Sequence, residues 1–278
     1  MNSKRDYKLG QYEKSMPESL DFAQKLEISK SAGFDYLEIS VDESEKKLGR
    51  LDFTRERRIE FRRVIEDSGH PVITMCLSAH RKYPLGGPEK SLEIGVKAVD
   101  LAFDLGIRVI QLAGYDVYYE PSTIETKKLF LERLERLVRY ASQCGVALAF
   151  ETMETDFMNT CGKAMHYVNL INSPYLGLYP DVGNVANSGV YPPEDFKTAE
   201  GHILAAHLKE TLPGVFREVE FGKGGVDFKR EITALMGMGV SLFTGEFWYN
   251  GAADIFRYVR DAHGFLRACF ETDDRGGN

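Results

Sequence analysis

The sequence predicts an α/β fold, a closed (β/α)8 TIM barrel, as one domain spanning residues 1–278. Three observations carry this. Short apolar runs alternate with longer stretches of helical period from end to end, and that alternation implies a parallel sheet. Eight such units share 278 residues, about 35 each, in keeping with a barrel of about 250 residues. No glycine-rich phosphate loop follows the first strand, where Gln11-Tyr12-Glu13-Lys14 stands in place of GxGxxG or GxxxxGKS/T. The open doubly wound sheet, which expects such a loop, is therefore the weaker alternative.

Lys8 to Tyr12 reads as the first strand. Ser19 to Ser31 carries Leu20, Ala23, Leu26 and Ile28 and reads as a helix closed by Gly33. Tyr36-Leu37-Glu38-Ile39 is a short strand of aromatic and β-branched residues. Thr54 to Asp67 is highly charged but spaces Ile59, Phe61, Val64 and Ile65 along one helical face. Pro71 to Cys76 is the third strand, followed by a loop with Gly86-Gly87-Pro88. Ser91 to Asp104 is helical and Gly106 caps it, before a strand at Arg108 to Leu112. In Lys127 to Gln143, residues Phe130, Leu134, Leu137, Val138 and Ala141 form an apolar stripe. Gly145 follows where a left-handed residue is easiest. Then come a strand at Val146 to Phe150, a helix at Lys163 to Ile171 and a strand at Leu176 to Tyr179. A short helix from Glu194 to Glu200 precedes a strand at Ile203 to His207. Asp227 to Met236 is a helix, Ser241 to Phe247 a strand and Ala252 to Phe270 the last helix. The tail Asp273 to Asn278 reads as a frayed end.

Composition narrows the function. Lysine and arginine number 35 against 42 acids, a formal charge of −7. Nucleic-acid and anionic-membrane binders need clustered cations, so both partners are disfavoured. No run approaches the roughly 20 apolar residues of a membrane helix, and Met1 to Asp6 has no apolar stretch behind it, so no signal peptide is expected. Cys76, Cys144, Cys161 and Cys269 lie far apart without a CxxC pair. They read as reduced, mostly buried thiols of a cytoplasmic protein.

In a barrel of this kind the chemistry sits at the carboxyl ends of the strands. The fifth run ends in Glu151, the sixth in Asp181, the seventh in His207 and the eighth in Glu246. Each spacing is close to one βα unit, so the four side chains converge on one rim. Three carboxylates so placed repel one another unless a cation joins them. With one imidazole they make a site for one divalent metal ion: Mn²⁺, Mg²⁺, Co²⁺ or Zn²⁺. Taken singly, a Glu after a strand is as readily explained by a helix dipole. A lone His after an apolar run is more often a hydrogen-bonded structural residue. Four consecutive strands are harder to explain that way. Among the other histidines, His70 stands at the wrong end of a strand, and His166, His202 and His263 fall in helical stretches. His80, just after the third strand, is on the correct rim and is a candidate for substrate contact.

The residues around these positions resemble a known family. Glu151-Thr152-Met153, Pro180-Asp181-Val182-Gly183-Asn184, His207-Leu208-Lys209-Glu210-Thr211 and Gly245-Glu246-Phe247-Trp248 resemble the signatures of the xylose-isomerase-like barrels. More closely, the chain resembles the L-ribulose-5-phosphate 3-epimerases, also known as hexulose-6-phosphate isomerases. Tyr12-Glu13-Lys14, Leu37 to Glu43, Cys76 to Gly86 and Gln111 to Asp116 are similar too. The resemblance implies that Glu151, Asp181, His207 and Glu246 hold the metal, with Glu151 and Glu246 as the acid/base pair. It implies C3 deprotonation and reprotonation through a metal-stabilised enediolate, turning L-ribulose 5-phosphate into L-xylulose 5-phosphate. Arg217 matches a substrate-binding arginine of related ketose 3-epimerases. Asn184 departs from the pattern of the free-sugar enzymes, which carry a histidine there. Asparagine can donate to a sugar hydroxyl but not act as an acid, and the change favours a phosphorylated substrate. The resemblance also allows a homodimer.

A phosphate end needs cations or backbone amides. Lys209, Arg217, Lys223 and the glycines Gly222, Gly224 and Gly225 are the candidates, against the plain reading of a mobile glycine turn. Phe247 and Trp248 either wall the pocket or simply pack at the rim. Three other functions remain open beside the epimerase: an aldose–ketose isomerase, a non-catalytic sugar-phosphate-binding barrel and a DNA-repair nuclease. The charge and the sparse rim histidines argue against the last.

Overall fold

The computed structural model describes residues 6–271. The expectations for Met1 to Arg5, without a signal peptide, and for Asp273 to Asn278, as a frayed end, fall outside the described residues. Eight parallel strands curl into a barrel. The first half runs β1 (Lys8–Tyr12), α1 (Phe22–Ala32), β2 (Tyr36–Ser40), α2 (Glu45–Leu48), α3 (Arg55–Ser68), β3 (Val72–Leu77), α4 (Lys90–Leu105) and β4 (Val109–Ala113). The second half runs α5 (Ile124–Cys144), β5 (Ala147–Glu151), α6 (Cys161–Ile171), β6 (Leu176–Leu178), α7 (Val182–Ala186), α8 (Pro192–Lys197), β7 (Ala206–Leu208), α9 (Phe228–Gly237), β8 (Leu242–Gly245) and α10 (Ile255–Cys269). No helix among the described residues is long and apolar enough to cross a membrane.

Local chemistry sets the helix ends. The first helix starts at Phe22, later than Ser19, because Asp21 caps it. Gln24 N–H donates to Asp21 Oδ1 at 2.8 Å, and Asp21 N–H donates back to Gln24 Oε1 at 3.0 Å. Thr123 starts α5 earlier than expected through a similar box with Thr126. Pro192 sits in the first turn of α8, ahead of the expected Glu194, where its missing N–H costs nothing. The predicted stripe of α5 is the face it buries: Phe130, Leu134, Leu137, Val138 and Ala141 all lie in the core. Burial of each large member is worth about 1.5–3 kcal/mol.

The sheet order is β6-β5-β4-β3-β2-β1-β8-β7. Between β6 and β7 the barrel closes through isolated bridges, Leu178 with Ile203 and Asp181 with His207. This corrects the expected seventh strand at Ile203 to His207; the ladder proper is Ala206–Leu208. Pro180 has no N–H to give across this seam, so the sixth strand also stops short of Tyr179. Three steps on one side (178 to 181) face four on the other (203 to 207), a local mismatch.

Alternation along each strand divides the side chains between two layers. Leu148 and Phe150, Leu176 and Leu178, and Ala206 and Leu208 join the apolar layer that carries the helices. The interleaved positions face inward, and two of them are tyrosines, Tyr36 and Tyr179. Small inward neighbours make room for both. A Cβ at Gly10 would overlap the Tyr36 ring, and Ala149 and Ala205 flank Tyr179. Above this layer, at the carboxyl ends, the inward side chains become charged.

Candidate active site

Glu151 ends β5, Asp181 caps α7, His207 is central in β7 and Glu246 directly follows β8. One ligand atom from each lies within 4.8 Å of the others, and all four residues are buried. His207 Nδ1 stands 2.9 Å from Glu151 Oε1 and 3.5 Å from Glu246 Oε2. Lys209, two residues on and facing the same way, puts Nζ 3.2 Å from Asp181 Oδ2 and 3.3 Å from Glu246 Oε2. The structure thus brings five of the predicted site residues together.

Their charges are mutually dependent. Burial raises the Glu151 carboxyl above its ordinary value, and the neighbouring Glu246 adds to the rise. Burial likewise holds Asp181 well up, against the opposing pull of Lys209. Burial also acts on Glu246, but Lys209 and His207 outweigh it and hold that carboxyl low. Burial alone would strip His207 of charge, yet Glu38, Glu246 and Glu151 hold its imidazole well above the usual range. Lys209 is raised in the same manner, by Asp181 first, against its own desolvation.

The donor set fits a divalent cation. Asp181 Oδ2 and Glu246 Oε2 are buried with no aligned hydrogen-bond donor. Such oxygens are costly unless a cation satisfies them. Three carboxylates and one imidazole suit Zn²⁺, Mn²⁺, Co²⁺ or Mg²⁺ alike.

Beside the cluster lies a cavity of about 240 Å³. That is below the usual range of about 300–1,000 Å³ for drug-sized ligands, so it suits a small substrate. Glu151, Lys209, Glu246 and Trp248 line it, and so do Lys14, Ser78, Arg81 and Arg217. Trp248 is therefore a pocket wall, while Phe247 packs into the core. The Arg217 guanidinium donates to Glu154 at 2.6 Å, and the hydroxyls of Tyr115 and Tyr118 donate to the same carboxylate. Three loops are thereby tied together over the opening.

Other expected residues stand elsewhere. The His80 ring is not brought to the cavity; it is buried, with Nε2–H donating to the Ser91 carbonyl at 3.1 Å. Ser78 and Arg81 take the rim position after the third strand instead. Asn184 braces the site from behind. Its side-chain N–H donates to the Thr152 carbonyl at 2.7 Å, and its backbone N–H donates to Asp181 Oδ1 at 2.6 Å. The glycine loop is not a free anion cradle. Gly222 N–H and Val226 N–H donate to the Glu210 carboxylate at 2.9 and 3.1 Å, and a Cβ at Gly224 would overlap that carboxylate. The loop folds around an anion of its own.

Two further residues join the site without having been assigned a role. The Gln111 amide of β4 donates to Glu151 Oε2. Glu38 of β2, fully buried, meets His207 Nε2 at 2.7 Å. The available signal was a charged residue between Leu37 and Ile39 in a strand buried on both faces, since an acid there must have a partner.

A model of the xylose isomerase-like TIM barrels matches residues 26–269. The chain belongs to this family. Among relatives of this xylose isomerase-like barrel is the L-ribulose-5-phosphate 3-epimerase UlaE of Escherichia coli O139:H28, 41% identical over 266 residues and covering 94% of both chains. The protein of the same name from Escherichia fergusonii gives the same identity and coverage. The expectation of an epimerase is borne out by these relatives. Among solved structures, 3-keto-D-glucoside 4-epimerase YcjR from E. coli superposes with a TM-score of 0.76 at 16% identity, over 95% of this chain and 100% of that one. D-allulose 3-epimerase from Methylomonas sp. does so at 0.76 and 18%, over 95% and 97%. At such identities these structures speak for the fold alone.

Proposed function

We propose that this barrel is a metal-dependent epimerase that interconverts L-ribulose 5-phosphate and L-xylulose 5-phosphate at C3. The observation that carries the reading is the pair Glu151 and Glu246, brought from the ends of β5 and β8 to 2.9 and 3.5 Å from His207 Nδ1 and both lining the cavity. Epimerisation beside a ketone removes a proton from one face of the carbon and returns one to the other. Two carboxylates fixed at the wall of one small cavity would supply an acceptor and a donor for those two events. Gln111 and His207 hold Glu151 in place. Lys209 and His207 hold Glu246. Glu151, Asp181, His207 and Glu246 would hold the cation, which when bound supplies Lewis-acid stabilisation of negative charge on the substrate oxygens.

The phosphorylated substrate is supported by the cavity wall. Lys14, Arg81 and Arg217 set three cationic side chains along it. The Ser78 hydroxyl and Arg81 Nε are buried there without a partner, and phosphate oxygens would be suitable acceptors. The names of the curated relatives point to the same substrate. Incubating the protein with L-ribulose 5-phosphate and one divalent metal at a time in D₂O should give L-xylulose 5-phosphate with deuterium at C3. Unphosphorylated L-ribulose should turn over more slowly. Absence of both label and product rejects the reading, and migration of the carbonyl group replaces it with an aldose–ketose isomerase.

A further inference from the structure

We propose that Glu38 is a positioning residue: it fixes the His207 ring with Nε2–H bound and Nδ1 turned toward the metal centre. The proposal rests on the reading that the cluster holds a divalent cation. Glu38 is remote from His207 in sequence, and its carboxylate is acceptor-only. Oε1 meets His207 Nε2 at 2.7 Å. Oε2 accepts the Thr74 hydroxyl at 2.6 Å and the Tyr179 hydroxyl at 2.9 Å. A ring nitrogen that bonds a carboxylate must supply the proton, so Nε2 carries one; Nδ1 also meets a carboxylate, Glu151 Oε1 at 2.9 Å, but it is the nitrogen that must be bare to bind a cation.

Proton counting around the carboxylate agrees. The Tyr36 hydroxyl is committed to the Phe243 carbonyl at 2.9 Å. The Thr244 hydroxyl stands 2.7 Å from the oxygens of both Tyr36 and Tyr179, with one proton to give them. Nothing in this chain of hydroxyls requires Glu38 to donate. The ring is held mechanically as well, with the Tyr179 ring edge-on to His207 at a centroid distance of 4.7 Å. Glu38, Thr74 and His207 sit on three different strands, and Tyr179 directly follows a fourth. The barrel frame therefore sets the ring orientation.

With Nε2 so engaged, Nδ1 is the nitrogen presented to Glu151 and Glu246. Histidine ligands generally give their second N–H to such a partner, and losing it weakens metal binding by about 10–100-fold. A glutamine at this position keeps the shape but not the instruction. Its amide can accept from Nε2–H in one flip or donate to a bare Nε2 in the other, and the second flip aims an Nδ1 proton at the metal.

The test pairs two readouts, nitrogen-15 NMR of histidine-labelled protein and Zn²⁺ affinity by competition with a chromophoric chelator. A His207→Gln sample identifies the His207 signals. We expect an Nε2-protonated His207 in the wild type, both metal-free and Zn²⁺-loaded. Glu38→Gln should show a mixed or reversed tautomer and bind Zn²⁺ at least tenfold more weakly. Tyr179→Phe removes one donor to Glu38 without touching the ring, and should weaken Zn²⁺ binding by a few-fold with the tautomer retained. A wild-type Nε2 without a proton overturns the proposal, as does a folded Glu38→Gln with wild-type Zn²⁺ affinity. If the wild type takes up no Zn²⁺, Mn²⁺, Co²⁺ or Mg²⁺, the metal reading falls instead, and the Nε2 proton alone decides the role of Glu38.

Discussion

A buried imidazole meets two different fates in this chain. His207 lies among carboxylates, which raise its affinity for a proton against the effect of burial. His80 and His70 are buried without such partners, and burial pushes each down to about 4. The sign of the consequence follows. In the unfolded chain a histidine takes its proton near pH 6.5, while these two refuse it until about pH 4. The contribution of these two histidines to stability is thus full above about pH 6.5, falls as the pH drops and levels off near 4. His80→Gln keeps a donor for the Ser91 carbonyl and removes the titration. It should lose about 2–3 kcal/mol less stability than the wild type between pH 7 and 4.5, as measured by urea unfolding. An unchanged difference between the two pH values rejects the assignment. At this scale the four rim ligands were legible because each terminates an apolar run. Glu38 was less so, because it sits inside its strand and its partner His207 is set by barrel closure.

Elements show the same division. Long helices with an apolar stripe, such as α4 and α5, are readable because their period repeats several times. The one-turn pieces α2 and α7 repeat nothing and are set by their surroundings. The seventh strand was displaced because its pairing depends on Pro180 in another element. The loop between β7 and α9 is similar: glycines suggested a phosphate cradle, but Glu210 takes up the amides. Charge-assisted bonds of this kind are worth about 1.5–3 kcal/mol each. Glu210→Gln should therefore loosen the loop, seen as faster hydrogen exchange at Gly222 and Val226. Because the loop carries Arg217, KM should rise several-fold with a smaller change in kcat. Unaltered exchange at both amides would show that the carboxylate does not organise the loop.

At the scale of the whole molecule, the acidic excess has a local focus. The formal charge of −7 was a general argument against polyanion partners. Within the barrel mouth, Glu38, Glu151, Asp181 and Glu246 are gathered around Lys209 and His207. A cation bound to the folded state and not to the unfolded one stabilises by mass action, about 2.7 kcal/mol at one hundred times Kd. For a chain of this length that is a rise of about 5 °C in Tm. Calorimetry with Mn²⁺ or Zn²⁺ against a chelated sample should show it, and Asp181→Asn should abolish most of it. Equal melting temperatures in saturating metal and in chelator would leave the cluster without its proposed occupant.

The seam at Pro180 gives the metal cluster a mechanical meaning. Glu151 and Asp181 stand on one side of the join between β6 and β7, His207 and Glu246 on the other, and the pair Asp181 with His207 is itself one of its bridges. An ion gripped by all four would rivet the barrel across its thinnest joint. Emptying the site would then do more than silence chemistry: it would mark the place where the cylinder first splits open under load.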